Sequence, residues 1–236
     1  MHQIRISPEA QEFARRQRGG ALHMFDALDL SRTAHVVVDM QNGFVEPGAP
    51  VEVPVAREIV ENINAISRAV RAAGGTNVFL QMTVGADSMQ SWSNWFRYFH
   101  TADSTVGFEK SFGHGRHFWE IWPEMDVAER DLFVDKTRFG AFVPGASRLH
   151  ETLQARGIDT LIITGTLSNC CCESTARDAM QMNYKLIFVS DANAALTDAA
   201  HNATLDNMCM IFADVRPTSE VLEVIARSAR TPAAAE

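Results

Sequence analysis

The sequence lacks the features that mark several large classes of protein. No run approaches the ~20 apolar residues that a membrane-spanning helix needs. Positive charge is not in excess, since 21 lysines and arginines stand against 29 aspartates and glutamates. The resulting formal net charge of −8 argues against nucleic acid and anionic membranes as partners. Neither a P-loop nor a GxGxxG motif is present, so nothing in the sequence supports nucleotide binding.

Cysteine is scarce, and its placement is uneven. Four cysteines occur in 236 residues, and three of them are consecutive at Cys170, Cys171 and Cys172. This spacing is not that of a disulfide framework, and the N-terminal segment contains no apolar core of a secretory signal. We therefore expect reduced thiols in a cytoplasmic protein.

The length and the ordinary composition predict one large α/β domain. A chain of 236 residues with 46% hydrophobic and 21% charged residues can bury a full core. The sequence contains no internal repeat and no linker that would divide it. We expect an N-terminal arm over residues 1–32, a main domain over residues 33–230 and a frayed tail over residues 231–236.

Apolar runs predict six strands that alternate with helices. The predicted strands cover residues 35–39, 77–81, 131–135, 160–164, 185–189 and 210–213. The predicted helices cover residues 8–18, 57–73, 145–156, 198–207 and 218–228, with one more from the cysteines to residue 183. Such alternation gives parallel strands with right-handed crossovers. We predict an α/β fold, a three-layer α/β/α sandwich around a six-stranded parallel sheet, Rossmann-like, with strand order 3-2-1-4-5-6.

Reactive side chains follow the first, third and fourth predicted strands. Asp39 ends the first strand, Lys136 follows the third, and the cysteines come shortly after the fourth. In a parallel sheet all of them lie at the carboxyl edge, where open α/β sheets bind ligands. The acid can take up the thiol proton, the lysine can hold the charges, and the thiolate can attack a carbonyl. Taken singly, Asp39 is equally a turn cap, and Lys136 is equally a solvated or salt-bridged residue.

The cysteines stand where a helix is predicted to begin. Ser168 and Asn169 are residue types that cap helix N-termini, and the unpaired N–H groups of a first turn lower the pKa of a thiol. The alternative is that the cysteines are small buried hydrophobic residues. Spacing alone does not choose among the three. A redox pair of adjacent cysteines is disfavoured, because neighbouring side chains diverge on a helix.

Residues 83–130 form the irregular part of the chain and are rich in aromatic residues. All four tryptophans lie here: Trp92, Trp95, Trp119 and Trp122. A long connection of this kind is usually a lid or binding loop, but subunit interfaces share its composition. We predict a lid, an interface or both, and a homo-oligomer, either dimer or tetramer. His114 and His117 lack a third ligand nearby, so we predict loop surface there and no metal site.

The sequence resembles the isochorismatase-like cysteine hydrolases in three motifs. VVVDMQNGF contains Asp39, DKTRFGAF contains Lys136, and TGTLSNCCCESTARDA contains the three cysteines. The motifs occur in the family's order and are followed by VSDANAA, so the resemblance extends over residues 35–215. It implies the three-layer fold and hydrolysis by a cysteine nucleophile.

The resemblance also implies a role for individual residues. In the family the nucleophile follows Thr/Ser-Asn-x and precedes x-Glu-Ser-Thr, a position that Cys171 occupies here. Asp39 and Lys136 correspond to the other members of a catalytic triad. A cis peptide bond before the nucleophile corresponds to Thr166–Leu167, and the oxyanion hole corresponds to the backbone N–H groups of Leu167 and Cys171.

Two departures from the family narrow the expected substrate. The Asp-x-His metal motif of its nicotinamidases is absent from TVGADSMQSW, so the resemblance implies no metal and no other cofactor. The cysteine is lacking in isochorismate-cleaving relatives and favours C–N hydrolysis. We expect a small amide, carbamoyl or ureido substrate, cleaved through a thioester; ESTARDA looks closest to the ureidoacrylate amidohydrolases. The predicted substrate-binding residues are Phe44, Trp92, Trp95, Arg97 and Phe142.

Two other functions stay open at this point. One is non-amide chemistry on the same scaffold, such as vinyl-ether cleavage or ring opening, because one fold hosts several chemistries. The other is a non-catalytic interaction module that binds through the aromatic segment. A charged cluster at a sheet edge argues against such a module, because an idle scaffold has no need of it.

Overall fold

The computed structural model describes residues 1–85 and 87–230, except the side chains at positions 102, 103, 105 and 106. The tail predicted over residues 231–236 lies outside this part. The strands are β1 (Thr33–Val38), β2 (Thr76–Met82), β3 (Leu132–Lys136), β4 (Thr160–Thr166), β5 (Lys185–Ala194) and β6 (Asp214–Arg216). The helices are α1 (Pro8–Gln17), α2 (Asn42–Val45), α3 (Val60–Ala72), α4 (Ser88–Ser91), α5 (Ser93–Phe99), α6 (Ala102–Phe112), α7 (Leu149–Gln154), α8 (Glu173–Gln181), α9 (Asp198–Asn207) and α10 (Thr218–Arg230). Among these helices, none has the length and apolar character required to cross a bilayer.

The strands form one parallel sheet with the order β3-β2-β1-β4-β5-β6. This confirms the predicted fold class and strand order. The central strands β1 and β4 are buried along their whole length, as their continuous apolar runs require. Helices α3 and α10 pack their apolar side chains on one face, and α7, α8 and α9 pack theirs on the other.

The last strand lies further along the chain than predicted. Residues 210–213 fall on a π-helix, Met208–Phe212, and the residue after it, while β6 begins at Asp214. A short apolar run does not by itself distinguish a buried helix from a buried strand. Met208 and Cys209 pack into the core, whereas Ile211 is 54% exposed. Burial on one side only is typical of a helix at the surface of a domain.

Several other boundaries also move. Helix α3 begins at Val60 because Pro54–Ile59 forms a 3₁₀ helix. Helix α7 begins at Leu149, and Gly145 stands outside it with a φ of +76°, which a right-handed helix cannot contain. Strands β4 and β5 extend beyond their predicted ends. Element type was therefore more predictable than element length, as is usual for boundaries.

Residues 83–130, predicted as irregular, contain α4, α5, α6 and a 3₁₀ turn. After α6 the chain returns across the carboxyl end of β1. The N–H of Asn42 donates to the Glu120 carbonyl at 2.8 Å, and the N–H of Trp122 donates to the Met40 carbonyl at 2.9 Å. The segment is thus attached to the sheet edge where the candidate site residues were expected.

The N-terminal arm is attached along the β5–β6 side of the sheet, and His2 accepts the N–H of Ala195 just after β5. Helix α1 buries two alanines, and the Arg18 guanidinium donates to the Cys209 carbonyl at 2.6 Å. The buried Asp214 carboxylate accepts hydrogen bonds from the His23 ring at 2.7 Å and from the N–H of Met24 at 2.9 Å. Residues 1–25 therefore pack against α9 and the ends of β5 and β6 rather than standing free.

Candidate active site

Asp39 lies immediately after β1, where the chain leaves the sheet abruptly. Its φ is +50°, a conformation that aspartate adopts more readily than most residues, and its N–H donates to the Leu80 carbonyl at 3.1 Å. The side chain is fully buried, and the Lys136 ammonium lies against its carboxylate. The carboxylate is therefore held by charge and remains able to take up a proton.

Lys136 is the last residue of β3 and supplies that charge. Its Nζ lies 2.7 Å from Oδ2 of Asp39, and both side chains are fully buried. The ammonium also donates to the Arg138 carbonyl at 3.2 Å, with the Met82 sulfur at 3.7 Å. A charged group inside a protein needs an opposite charge and hydrogen-bond acceptors, and Lys136 has both. The solvated lysine that is common at strand ends is thereby excluded.

The two charges perturb each other's pKa. Burial raises the pKa of Asp39, because a carboxylate removed from water is disfavoured, and Lys136 opposes this rise. Burial also disfavours the charged form of Lys136, but Asp39 and Cys171 outweigh that effect and raise the pKa of Lys136. The lysine therefore stays protonated, and Asp39 is the member of the pair that can exchange a proton.

The third reactive group comes from the turn after β4. The peptide bond Thr166–Leu167 is cis, as the resemblance implies. A π-helix, Ser168–Cys172, follows and leads into α8, where an ordinary helix start was expected. The Leu167 carbonyl accepts the N–H groups of Cys170 and Cys172, each at 3.1 Å. Single π-turns inside helices are frequent at functional sites.

Of the three cysteines, Cys171 faces the ion pair. Its thiol lies within hydrogen-bonding reach of both Asp39 and Lys136. Cys172 is fully buried in the core, and Cys170 is half-buried beside Cys171. The geometry thus brings together the three residues named by the motifs.

The pKa of the Cys171 thiol is raised, contrary to the lowered pKa expected at a helix N-terminus. The hydrogen bond that Cys171 shares with Cys170, together with burial, raises the pKa of Cys171 well above its ordinary value. The same hydrogen bond lowers the pKa of Cys170, so the two thiols titrate as a pair. Cys171 consequently needs a base to become a nucleophile, and Asp39 is within reach.

Gly165 allows the two strands that carry the site to approach closely. It has a φ of +117°, and a Cβ at this position would lie 2.1 Å from the Val38 carbonyl oxygen. Only glycine fits, so the end of β4 can lie against the end of β1. Asp39 and the cysteine turn follow these two residues directly.

The fold and this constellation agree with a known family. The family model described as the isochorismatase domain matches residues 33–220. The chain belongs to the isochorismatase family.

Similar proteins and solved structures support that membership. The chain is 34% identical over 188 residues to the ureidoacrylate amidohydrolase RutB of Variovorax paradoxus, covering 74% of this chain and 73% of that protein. A cysteine hydrolase from Pseudomonas syringae pv. phaseolicola has a TM-score of 0.76 at 28% identity and covers 88% of this chain and 98% of its own. An N-carbamoylsarcosine amidase from Thermoplasma acidophilum has a TM-score of 0.64 at 25% identity, and the match covers 79% of this chain and 96% of the amidase.

In this isochorismatase-family chain, a cavity of about 440 Å³ opens between the exit of β3 and α8. Its lining includes Trp92, Arg138, Phe139, Gly140, Ser174 and Asp178. The Arg138 guanidinium lies 4.9 Å from the Trp92 ring centre and donates to the Ser91 carbonyl at 2.8 Å. Sequence reasoning named Trp92 but missed Arg138 and Phe139, although both follow Lys136 directly within DKTRFGAF.

The predicted substrate-binding residues fall in different places. Trp92 and Trp95 stack at 4.3 Å, and both meet Phe139 edge-on at 4.9 and 5.5 Å. Phe44 is buried with its ring centre 5.1 Å from that of Phe112. The two tryptophans therefore lie near the cavity, and Phe44 lies beneath the returning segment.

The other two predicted contacts lie elsewhere. Arg97 is exposed, with its guanidinium 5.3 Å from the Tyr98 ring centre. Phe142 packs 5.6 Å from Tyr184 and 6.2 Å from the His150 ring of α7. These contacts place Arg97 at the surface and Phe142 beside α7.

The loop histidines lie at the surface, each beside a carboxylate. His114 is 64% exposed and lies 2.8 Å from Asp135, and His117 is 61% exposed and lies 2.5 Å from Glu46. Within residues 1–85 and 87–230, no three or more histidine, cysteine, aspartate or glutamate side chains gather as metal ligands. The described histidines thus offer pairs but no complete ligand set.

Proposed function

We propose that this isochorismatase-family hydrolase is a cysteine amidohydrolase that cleaves a C–N bond of a small amide, carbamoyl or ureido compound. The observation that carries the proposal is the fully buried Lys136–Asp39 pair, 2.7 Å apart, with the Cys171 thiol in reach of both. The names of two similar proteins, a ureidoacrylate amidohydrolase and an N-carbamoylsarcosine amidase, support an amide-type carbonyl as the target.

The first step is attack by Cys171. The thiol gives its proton to Asp39, whose buried carboxylate has a raised pKa and so accepts it readily. The sulfur then adds to the substrate carbonyl carbon, and the carbonyl electron pair moves onto oxygen. The backbone N–H groups of Leu167 and Cys171 are the proposed donors to this oxyanion, and one such donor contributes about 3 kcal/mol.

The second step is collapse and hydrolysis. Asp39 returns its proton to the departing nitrogen as the C–N bond breaks, which leaves a thioester on Cys171. Asp39 then takes a proton from water, the resulting hydroxide adds to the thioester, and the C–S bond breaks with the proton returned to sulfur. Lys136 stays protonated throughout and stabilises each anionic form of the site.

The cavity between the exit of β3 and α8 is the proposed place for the remainder of the substrate, because its lining residues Arg138 and Ser174 follow Lys136 and Cys171 by two and three positions. Trp92 and Trp95 form one wall near it, and Arg138 supplies a cation two residues beyond Lys136. We propose Arg138, rather than the exposed Arg97, as the partner for a substrate carboxylate, because guanidinium groups bind carboxylates with paired hydrogen bonds.

We also propose a homo-oligomer, as either a dimer or a tetramer. Tyr98 and Phe99 at the end of α5 are 67% and 79% exposed, although large aromatic side chains are usually buried or paired with a partner. A subunit seated on this part of the segment would cover them.

The test is ammonia release from a panel of small amides, carbamoyl and ureido compounds, ureidoacrylate among them. Cys171→Ala is expected to lose at least about 10³-fold in kcat, because removing a nucleophile removes its covalent pathway. Cys170→Ala is the matched control, since it deletes the neighbouring thiol but leaves the Asp39–Lys136–Cys171 set, and it should keep activity. Full activity in a folded Cys171→Ala variant would contradict the proposal.

A second readout separates the amide reaction from other chemistry. In the Cys170→Ala variant, which lacks the half-buried neighbouring thiol, iodoacetamide should alkylate Cys171 after Asp39 takes up its proton, and the labelled protein should be inactive. If the thiol is alkylated but no compound releases ammonia, the reaction is one of the non-amide alternatives. Absence of both reactivity and turnover would indicate the interaction module.

A further inference from the structure

A second buried polar network lies beside the cysteine turn, and the proposed mechanism does not use it. Ser168 begins the π-helix, and His201 lies on α9; both are fully buried. The Ser168 hydroxyl oxygen is 2.7 Å from Nδ1 of His201, and Nε2 of the same ring is 2.9 Å from the Ser190 carbonyl oxygen in β5. The network therefore joins β5 and α9 to the turn that carries the nucleophile.

The partners fix the direction of both hydrogen bonds. A carbonyl oxygen can only accept, so Nε2 of His201 carries a proton and donates to Ser190. Burial lowers the pKa of His201 to about 4, so the ring is neutral near pH 7 and Nδ1 is an acceptor. The Ser168 hydroxyl must then be the donor, which leaves it no hydrogen for a backbone carbonyl.

That hydrogen bond matters because of where Ser168 sits. It separates Leu167, a proposed oxyanion donor, from the cysteines. The far side of the turn is held by the Leu167 carbonyl, which accepts the N–H groups of Cys170 and Cys172. The hydrogen bond from Ser168 to His201 anchors the start of the same turn to α9, so removing either partner removes that anchor.

The N-terminal arm covers the network. The His2 ring stacks on His201 with centroids 4.3 Å apart and planes at 16°, and the His2 side chain is 3% exposed. Its Nδ1 lies 2.7 Å from the Asp198 carboxylate, and Nε2 accepts the N–H of Ala195 at 2.9 Å. Because water is kept from the ring, the Ser168 hydroxyl has His201 as its acceptor.

We propose that His201 is a positioning residue for the reaction: by accepting the Ser168 hydroxyl, it fixes the turn that presents the Leu167 N–H and the Cys171 thiol. The inference rests on the proposed role of Cys171. It predicts that the acceptor at the Nδ1 position, and not the ring as such, maintains kcat.

A matched pair of variants tests this. His201→Asn keeps a polar atom close to the Nδ1 position, whereas His201→Gln places its polar atoms near the Nε2 position and offers Ser168 no acceptor. We expect His201→Gln and Ser168→Ala to lower kcat about 10- to 100-fold with little change in KM, because a small displacement of catalytic groups has an effect of that size. His201→Asn should keep kcat within about threefold, since the acceptor is retained.

The double variant and the thermal midpoint complete the design. Ser168→Ala combined with His201→Gln should have the kcat of the slower single variant, because both changes remove one interaction. Ser168→Ala alone tests the inference if His201→Gln does not fold. A wild-type kcat in Ser168→Ala would overturn the inference. It would also be overturned if His201→Asn and His201→Gln lost kcat equally and in proportion to the fall in their thermal midpoints. Full activity in Cys171→Ala would instead overturn the proposed function, and this inference with it.

Discussion

At the scale of single residues, the site depends on one position that has no functional group. Gly165 pairs with Val38 across β1 and β4, and its missing side chain leaves room for the Val38 carbonyl. The residues that follow these two are Asp39 and the turn to Cys171. The approach of acid and thiol is therefore set by backbone contact rather than by a side chain.

Gly165→Ala is expected to destabilise the protein beyond the effect of its positive φ. Gly157→Ala is a matched control, because Gly157 has a φ of +66° and open space where a Cβ would lie. The control should lose about 1–2 kcal/mol of unfolding free energy from the left-handed conformation alone. Gly165→Ala should lose about 1–3 kcal/mol more, because its Cβ overlaps a carbonyl. Urea denaturation measures both; equal losses would show that the backbone accommodates the methyl group.

The residues of the site were predictable to different degrees. Asp39 and Lys136 follow from strand ends alone, since parallel strands bring such positions to one edge. The choice of Cys171 came from the resemblance, because three consecutive thiols have the same spacing to everything else. The hydrogen bond between His201 and Ser168 could not be predicted from the sequence. The two residues are 33 positions apart, and no local pattern around either one indicates the other.

At the scale of elements, Arg138 connects the exit of β3 to the aromatic segment. Its guanidinium donates to the Ser91 carbonyl at 2.8 Å and to the Thr137 carbonyl at 2.7 Å, while it covers the face of Trp92. The side chain of Arg138 therefore links α4 to β3, the strand that ends in Lys136. Removing these contacts should increase local opening of residues 83–130 without unfolding the sheet.

Arg138→Ala is expected to speed tryptic cleavage after Arg97 and Lys110, which are exposed in α5 and α6. One hydrogen bond contributes about 1 kcal/mol net, so local opening and cleavage should increase about fivefold. Arg156→Ala removes an exposed arginine after α7 and is the control. Unchanged cleavage in Arg138→Ala would show that other contacts hold the segment.

Element type was predictable where the hydrophobic pattern was long. The amphipathic α3 and the buried β1 and β4 have patterns that only one structure satisfies. The apolar run at residues 208–212 is compatible with two structures, because five residues fit one turn of helix as well as one short strand. The helices within residues 83–130 were missed because their aromatic residues pack against one another rather than along one stripe.

At the scale of the whole molecule, stability is expected to fall on acidification well before the carboxylates titrate. His35 in β1 is fully buried between the hydroxyls of Thr164 at 2.8 Å and Ser67 at 3.2 Å. Burial lowers the pKa of His35 to about 3. The neutral ring of His35 contributes its full share to the free energy of unfolding above the pKa of about 6.5 that histidine has in the unfolded chain. This contribution is lost as the pH falls toward the pKa of His35 in the folded protein.

His35→Gln should therefore flatten the acid side of the stability profile. Between pH 5.5 and 4.5 the unfolded chain holds one proton at His35 that the folded chain does not, worth about 1.4 kcal/mol per pH unit. Urea denaturation at the two pH values should show a decline smaller by about this amount in the variant. A decline equal to that of the wild type would mean that the folded protein protonates His35.

Burial would raise the pKa of Asp214, but hydrogen bonds from His23, Met24 and Phe25 outweigh it and lower that pKa. The attachment of the N-terminal arm by Asp214 is thus present above the ordinary carboxyl pKa and is lost as the pH falls through the lowered value. The histidine effect comes first on acidification, and the carboxylate effect follows at lower pH. The two can therefore be separated in one titration of stability.

The buried Asp39–Lys136 pair also limits the substitutions open to descendants of this chain. Replacing either partner alone leaves an uncompensated charge in the interior, which destabilises a protein by about 3–5 kcal/mol. Replacing both by apolar side chains can be nearly neutral, but two changes must then occur together. A lineage that no longer needed the reaction would lose Cys171 by a single tolerated change long before it lost the ion pair.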